Sequence, residues 1–277
     1  MEIAHGMRFF ALLRKLLNWI WRRDRAKKPP PTRSRPERSS PLRVEPLEDR
    51  RMMSANTTSP TPNASFPFVS LGDVLMASQP KMEANIVFLG DSITWGYAYG
   101  AGAPVWSALL GGAGAANFGV IGQATQNFLY QLSLGQLIGL HPSVVVLNIG
   151  TNNLLEGDTP QATAAGILAD VNAIHFFAPQ AQVLVLGVPP GAASPNDPYR
   201  LAVNQTDALV SQQLAGDPHA TFFNIAPAFE QGDGSISNQV MFDYIHPTTL
   251  GYADMTAALL PAIAQAYLDS FPLRAGL

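Results

Sequence analysis

The sequence predicts an α/β fold in which helices cover both faces of a parallel sheet. From residue 85 onward, short apolar runs alternate with segments of helical periodicity, as they do in strand–helix–strand units. The runs show no alternation of polar and apolar residues, which is typical of strands buried on both faces. Strand–helix alternation implies right-handed crossovers and therefore parallel strands.

Each predicted element follows from its residues. Runs rich in Val, Leu and Ile predict five strands, at 86–90, 116–120, 143–150, 182–188 and 221–226. Apolar residues at helical spacing predict helices over 125–138, 159–177, 198–216 and 248–269, and another helix begins directly after the first strand. Ligands bind beyond the carboxyl ends of parallel strands, so polar residues that follow these strands are the site candidates.

Charge is divided sharply between two parts of the chain. Residues 1–51 hold 14 basic and 6 acidic residues, a balance of +8, whereas the remainder holds 3 basic and 14 acidic residues, a balance of -11. Such asymmetry is typical of a basic tail joined to an independent domain. An acidic domain with so few cations cannot neutralise a phosphate backbone, so nucleic acid is not an expected partner. The lack of cysteine excludes a thiol nucleophile, thiolate-bound zinc and disulfides.

Residues 1–65 are predicted to be a basic, largely disordered targeting and linker segment, followed by a folded domain at 66–277. The stretch 8–23 places apolar residues at helical spacing among basic ones, and it is too short and too charged to span a bilayer. It is interpreted as an amphipathic helix that contacts a membrane surface, part of a targeting segment, or a frayed basic tail. Residues 27–41 are rich in Pro, Ser and charge, as disordered linkers are.

Residues 43–56, RVEPLEDRRMMSAN, resemble a short N-terminal motif of the form Glu-Pro-Leu-Glu-x-Arg followed by Ser-Ala. That motif heads many exported proteins in one group of aquatic bacteria. The resemblance implies export to the periplasm or the extracellular space, and it implies nothing about chemistry.

Five residues that follow predicted strands should share one edge of the sheet: Ser92, Gly122, Asn152, Asp243 and His246. A serine needs an adjacent base to act as a nucleophile at neutral pH. The imidazole of His246 suits that role, and the carboxylate of Asp243 would hold its tautomer. In a helical turn, residues three apart lie side by side, so Asp243 could brace His246. This set of groups predicts acyl transfer.

Three donors are predicted to bind the oxyanion of the tetrahedral intermediate: the backbone amides of Ser92 and Gly122 and the side-chain amide of Asn152. Each residue also has a non-catalytic interpretation. Ser92 could cap the following helix, Asn152 could satisfy its own backbone in a turn, and Gly122 could serve a tight turn. Asp91 is predicted to tie its loop by hydrogen bonds. No metal-ligand spacing is found, and neither a metal nor a cofactor is predicted.

Four blocks occur in order along the chain: FLGDSIT, NFGVIGQATQ, VVLNIGTNN and FDYIHPTTLGY. Together they resemble the SGNH (GDSL-type) hydrolase superfamily, and residues 85–268 are similar to its platelet-activating-factor acetylhydrolase α-subunit type. The resemblance implies a flavodoxin-like three-layer α/β/α sandwich with a five-stranded parallel sheet. It also implies Ser92 as nucleophile, Gly122 and Asn152 in the oxyanion hole, and Asp243 and His246 completing the triad.

One departure from the family's pattern falls at the second block. Relatives often have Gly-Gly-Asp where this chain has Ile-Gly-Gln at 121–123. Gly122 is retained, whereas Ile121 adds bulk and Gln123 removes a carboxylate near the site. The preferences for acyl group and leaving group therefore stay open.

The resemblance implies a serine esterase that hydrolyses small acyl esters, with acetyl as the leading acyl group, through a covalent acyl-enzyme. The expected substrate is a small-molecule or carbohydrate ester. Two alternatives stay open, namely a lipid-directed esterase such as a lysophospholipase, and a catalytically silent carbohydrate-binding module on the same scaffold. The aromatic residues after Ser92 could line a pocket mouth or belong to the core; they are Trp95, Tyr97, Tyr99 and Trp106. The oligomeric state stays open.

Overall fold

A computed structural model describes residues 57–63 and 83–271 of the chain. The chain divides into two units, Met1–Met53 and Ser54–Leu277, and all described residues belong to the second unit. The basic stretch at 8–23, the linker at 27–41 and the motif at 43–56 lie outside the described residues. What the sequence predicts for them stays a prediction.

A five-stranded parallel sheet forms the centre of the domain, in the order β2-β1-β3-β4-β5. Its strands are β1 Ile86–Gly90, β2 Ala115–Gly119, β3 Val144–Asn148, β4 Gln182–Leu186 and β5 Ala220–Phe223. The predicted α/β class and the parallel five-stranded sheet are confirmed. The third strand ends before its predicted limit because Gly150, at a φ of +117°, already forms the N-terminus of the next helix.

Seven α-helices are found within the described ranges. They are α1 Ser92–Tyr99, α2 Ala103–Leu109, α3 Thr125–Ser133, α4 Thr151–Leu155, α5 Pro160–Phe177, α6 Pro198–Leu214 and α7 Thr249–Asp269. The short helices α2 and α4 are absent from the sequence prediction, because glycine-rich or asparagine-rich surroundings are typical of turns. No helix in the described part of the chain is both long and apolar enough to cross a membrane.

Local sequence signals explain where the long helices begin. Thr159, Asp197 and Thr248 cap α5, α6 and α7, each through a side-chain oxygen that accepts a backbone N–H of the first turn. Proline occupies the first position of α5 and α6, where its missing N–H costs nothing and its fixed φ suits the helix. These caps fix the residue at which each of the three helices begins.

An aromatic cluster covers part of one face of the sheet. The ring of Phe88 on β1 meets Tyr97 and Trp106 edge-on, at centroid distances of 5.7 and 5.1 Å. Tyr97 stacks on Tyr252 of α7, and its hydroxyl hydrogen-bonds to Thr256. Tyr97 and Trp106 are therefore core residues. By contrast, the other two aromatic residues after the serine, Trp95 and Tyr99, are exposed.

Residues 57–63, here called the arm, hydrogen-bond to the domain although the sequence places them in the linker. Thr57 donates to the carbonyl of Ala162 on α5, and its own carbonyl accepts from Thr125. The backbone of Thr61 bonds to Gln126, also on α3. The arm thus joins the domain ahead of the predicted boundary at 66. Backbone, hydroxyl and side-chain amide bonds hold it, so its sequence carries no apolar pattern that would predict the contact.

A single buried cation supports the loops beneath the site edge. Arg200 on α6 is the one Lys or Arg within the described ranges, and it is 1% exposed. Its guanidinium donates to the carbonyls of Gly191, Ala192 and Gly234. It also pairs with the carboxylate of Glu230 at 2.8 Å. Each of the three guanidinium nitrogens therefore donates at least one hydrogen bond, as a buried charge requires.

Arg200 reaches the loop of Asp243 and His246 through one intermediate residue. The N–H of Ala192 donates to the carbonyl of Tyr244 at 3.0 Å. Ala192 and Tyr244 both have positive φ, 64° and 61°, which side chains other than glycine rarely adopt. Such strained residues persist where the surroundings hold them, and Arg200 provides that hold at Ala192.

We expect Arg200→Met to lower the free energy of unfolding by about 3 to 5 kcal/mol, because it leaves Glu230 and three carbonyls without their donor. Urea unfolding followed by circular dichroism measures the change. Glu230→Gln is the companion variant: it keeps an acceptor for the guanidinium but removes the negative partner of the buried charge, so it should cost less than Arg200→Met. A loss below about 1 kcal/mol for Arg200→Met would contradict this account.

Candidate active site

The junction of β1 and α1 places Ser92 at the sheet edge. Asp91, not Ser92, caps α1, since its Oδ1 accepts the N–H of Ile93 at 2.9 Å. Ser92 is the first residue of the helix. The capping interpretation of Ser92 is therefore wrong, and the predicted structural role of Asp91 is confirmed. The Ser92 hydroxyl is left available for a different partner.

The glycine before this pair is required by the turn. Gly90 has a φ of +151°, and a Cβ there would lie 1.9 Å from the carbonyl oxygen of Asn148 and 2.5 Å from Oγ1 of Thr94. Neither the backbone angle nor the space admits a side chain. Gly90 thus lets the chain turn from the central strand into α1 against its neighbour β3.

A chain of hydrogen bonds joins the three predicted catalytic residues. Ser92 Oγ lies 2.9 Å from Nε2 of His246. On the other side of the imidazole, Nδ1 lies 2.7 Å from Oδ2 of Asp243. The structure therefore brings Ser92, His246 and Asp243 together in the order that a serine nucleophile, its base and an orienting carboxylate require.

The loop that carries Asp243 and His246 is not the helical turn that their spacing suggests. An antiparallel bridge between Met241 and Pro247 closes it, and Tyr244 within it has positive φ. Oδ1 of Asp243 accepts the backbone N–H groups of Ile245 and His246. His246 precedes Pro247, and the residue before a proline disfavours helical backbone angles. An Asp side chain commonly accepts backbone N–H groups two and three residues ahead in a turn, as Asp243 does. The two side chains still meet, because the same carboxylate that orders the loop also reaches the imidazole.

Hydrogen bonds keep the carboxyl of Asp243 ionised. Burial raises the pKa of Asp243, but the N–H groups of His246 and Ile245 and the His246 imidazole outweigh it and hold that pKa below its ordinary value. An ionised carboxylate stabilises an imidazolium at its side. The side chains of His246 and Asp243 are 36% and 41% exposed, so the site opens directly to solvent.

The predicted oxyanion loop is a tight turn at 120–123. The N–H of Gln123 donates to the carbonyl of Val120 at 3.3 Å, and Gly122 at the third position has a φ of +72°, as a type II turn requires. Among the described residues, no group accepts a hydrogen bond from the backbone N–H of Gly122 or of Ser92. Both donors are thus available, and their roles in the oxyanion hole stay predictions.

Asn152 ties this loop to the end of β3. It lies in the first turn of α4, and its Nδ2 donates to the carbonyl of Gln123 at 2.8 Å. The turn interpretation requires a bond from the Asn152 side chain to its own backbone. The side chain instead bonds to another loop. A carboxamide carries two N–H donors, so the second can serve a ligand while the first holds the loop.

Two buried residues near this loop were missed or misjudged by sequence reasoning. Asn153 is fully buried; it accepts the N–H of Thr125 and donates to Gln126 and Asp158. The second Asn of the third block is the signal that could have identified it. Gln123 is fully buried as well, so it does not line the site as the loss of a family carboxylate suggested.

Phe242 is a further residue that the sequence analysis did not single out. Its ring is 58% exposed and stacks on the His246 imidazole, at a centroid distance of 5.9 Å and an interplanar angle of 19°. The backbone N–H of Phe242 also donates to the carbonyl of His246. An open aromatic face therefore lies directly beside the imidazole. Its place in the fourth block, next to Asp243, is the signal that was overlooked.

Comparison with known proteins assigns the family. A model of the GDSL-like lipase/acylhydrolase family matches residues 88–253, which is more than half of the chain and includes every candidate site residue. The chain belongs to the GDSL-like lipase/acylhydrolase family. It is a carboxylic ester hydrolase, and the family prediction made from the four sequence blocks is confirmed.

Individual relatives agree with this assignment. The chain is 37% identical over 192 residues to human platelet-activating factor acetylhydrolase IB subunit alpha1, a match that covers 69% of this chain and 80% of the relative. It superposes on a GDSL-like lipase from Bacteroides thetaiotaomicron with a TM-score of 0.58 at 22% identity, covering 71% of this chain and 100% of that one. An acetyl xylan esterase from Geobacillus stearothermophilus gives 0.52 at 19% identity, covering 65% and 94%. At these identities the two structures bear on the fold alone.

The described residues include no cluster of side chains of the kind that binds metals. Within 57–63 and 83–271, no three His, Asp or Glu side chains are grouped so that they could hold a metal ion.

Replacing Asp243 with Asn should lower kcat for ester hydrolysis by about 10³- to 10⁴-fold, because an amide cannot stabilise the imidazolium and can hold the wrong tautomer. Steady-state kinetics with p-nitrophenyl acetate measure the loss. Asp269→Asn, at the exposed end of α7, is the matched control and should retain activity. Loss of less than about 10-fold would show that the Asp243–His246 contact does not serve catalysis.

The carboxyl of Asp91 should make stability depend on pH. Burial raises the pKa of Asp91 from 3.8 to about 6, although the Ile93 N–H opposes the change. The folded state therefore binds this proton more tightly than the unfolded state. The resulting stability is complete below pH 3.8 and is lost as pH rises through about 6.

We expect the difference in unfolding free energy between wild type and Asp91→Asn to change by about 2 kcal/mol from pH 4 to pH 7, with wild type losing more. Urea unfolding at a series of pH values measures it. The comparison between variants cancels the contribution of Asp207, whose pKa burial raises to about 7. Parallel curves for the two proteins would refute the assignment.

Proposed function

We propose that this ester hydrolase is a serine esterase that removes small acyl groups, with acetyl preferred, through a covalent acyl-enzyme. The observation that carries the proposal is the hydrogen-bond chain from Ser92 Oγ through His246 to Asp243, with links of 2.9 and 2.7 Å. A silent binding module has no need of this arrangement, so the non-catalytic alternative is not favoured.

In the proposed reaction, Ser92 Oγ attacks the ester carbonyl while Nε2 of His246 takes its proton. The carboxylate of Asp243 stabilises the imidazolium that results. When the tetrahedral intermediate collapses, the imidazolium returns the proton to the leaving alcohol and an acyl-serine remains. Water then attacks the acyl-serine with the same base, which releases the acid and restores the hydroxyl.

The developing oxyanion would be bound by the free N–H groups of Ser92 and Gly122 and by the second N–H of the Asn152 amide. Each preorganised donor of this kind is worth about 3 to 4 kcal/mol in the transition state. Ser92 also lies at the N-terminus of α1, where the helix dipole favours negative charge.

Names of the relatives support acetyl as the acyl group. A curated relative is an acetylhydrolase, and a solved structure with the same fold is an acetyl xylan esterase. The proposed preference for acetyl therefore rests on the similarity of this chain to these two proteins.

For the alcohol, we favour an acetylated carbohydrate. The leaving alcohol must lie beside His246, which protonates it, and there it would meet the exposed ring of Phe242. Such a ring offers an apolar face to the C–H groups of a sugar. The open site would admit a polymer, and the single buried cation leaves the described surface without a Lys or Arg to attract an anionic substrate. Export, which the motif at 43–56 implies, would bring the enzyme to such polymers.

A lipid-directed esterase is the second candidate. Exposed apolar side chains occur within three residues of site residues in the chain: Trp95, Ile121 and Phe242. Such residues could contact an acyl chain or a lipid surface.

The decisive experiment compares hydrolysis of p-nitrophenyl acetate, butyrate and octanoate by the full chain and by Ser92→Ala. We expect acetate to be the best substrate and Ser92→Ala to lose about 10⁴-fold or more of kcat. Ser133→Ala, a surface serine at the end of α3, is the matched control and should remain active. Acetate release from acetylated xylan then tests the carbohydrate.

A preference for octanoate, or release of fatty acid from a lysophospholipid but no acetate from xylan, would favour the lipid candidate. Turnover that survives in Ser92→Ala would refute the serine mechanism.

A further inference from the structure

The arm ends on the oxyanion loop. Its first residue is bonded to α5 and its middle to α3, where Asn127 donates to the carbonyl of Thr61 at 3.0 Å. At its last described residue, Nδ2 of Asn63 donates to the carbonyl oxygen of Gly122 at 3.1 Å. A segment that precedes β1 by more than twenty residues in the chain therefore contacts a residue that the proposed function places in the oxyanion hole.

A turn of the kind that Asn63 contacts can adopt two forms. In the observed form, Gly122 has positive φ. In the alternative type I turn, φ at this position is negative and the peptide between Ile121 and Gly122 is inverted, so the Gly122 N–H points the opposite way. A glycine lacks the Cβ that would make one form strongly preferred. Contacts with the neighbouring peptides of the turn must therefore hold Gly122 in place so that its N–H keeps the direction that catalysis uses.

Two side-chain amides hold this turn from different elements. Asn152, on α4, bonds to the carbonyl of Gln123, and Asn63, on the arm, bonds to the carbonyl of Gly122. Among the described residues, Asn63 is the one side chain that donates to the Gly122 carbonyl. The Cβ direction of Gly122 also faces Asn63, whose Nδ2 is 3.9 Å from that point.

We propose that Asn63 is a positioning residue: its bond to the Gly122 carbonyl anchors the peptide that follows Gly122 and so holds the turn where the Gly122 N–H can face the oxyanion of the transition state. The last described residue of the arm then serves catalysis, whereas Thr57 at the opposite end only attaches the arm to α5. This inference rests on the proposed function, in which the Gly122 N–H is an oxyanion donor. Asn63 itself need not touch the reacting atoms.

The test compares three variants of the full chain. Asn63→Ala removes the donor, and Asn63→Asp replaces it with a group of the same size that cannot donate when ionised. Thr57→Val is the matched control, because it removes the bond from the opposite end of the arm to Ala162 and leaves Asn63 in place. For each variant, kcat and KM for p-nitrophenyl acetate are measured together with the melting temperature.

A second readout reports on the oxyanion directly. Phenylboronic acid adds to an active-site serine and forms a tetrahedral anion, so its inhibition constant follows stabilisation of the transition state and not binding of the ground state. We expect both Asn63 variants to lower kcat by about 10-fold or more and to weaken boronate inhibition by a similar factor, with KM within about 2-fold. Thr57→Val should keep kcat within about 2-fold.

The outcomes separate this inference from the proposed function. Unchanged kcat in Asn63→Ala, with Ser92→Ala inactive, would overturn the positioning role alone. A loss in Thr57→Val equal to that in Asn63→Ala, or a loss that follows the melting temperature, would show that the arm acts through folding and would also overturn it. Activity in Ser92→Ala would overturn the proposed function itself.

Discussion

The parallel register of β1 with its two neighbours is the constraint on which the site depends. Gly90 at the end of β1 pairs with Gly119 on one side and with Asn148 on the other. The three strands thus end level, and each is followed by a loop at the same edge. Residues far apart in the chain become neighbours there because parallel strands can be connected only by crossovers that return to the starting edge.

Support for the site comes from groups that do no chemistry. Asn63, Asn152 and Asn153 use carboxamides to join loops, and Arg200 supports the strained residue that contacts the Asp243–His246 loop. Amides suit this task because each carries both donors and an acceptor and remains neutral when buried.

The surroundings of the buried and exposed Asp side chains shift their pKa values in opposite directions. Burial raises the pKa values of Asp91, Asp170 and Asp207, so these carboxyls are held in surroundings that disfavour their charge. Asp243 is the opposite case, because hydrogen bonds lower its pKa. Environment thus separates carboxyls of one residue type into buried groups whose charge is disfavoured and one group, beside the imidazole, whose charge is stabilised.

The sequence by itself determined the α/β class, the five strands, the long helices and the family. Local residue patterns predict buried parallel strands and capped helices. Ser92, Asp243 and His246 each lie in one of the four sequence blocks, which leaves few other candidates for the catalytic residues. Only the tertiary structure decided how the Asp243–His246 loop is built, that Gln123 is buried, and that Phe242 stacks on the imidazole. It also showed that a polar arm reaches Gly122. These features depend on single hydrogen bonds and ring contacts between distant residues. Such contacts produce no periodicity or bias in composition from which they could be predicted.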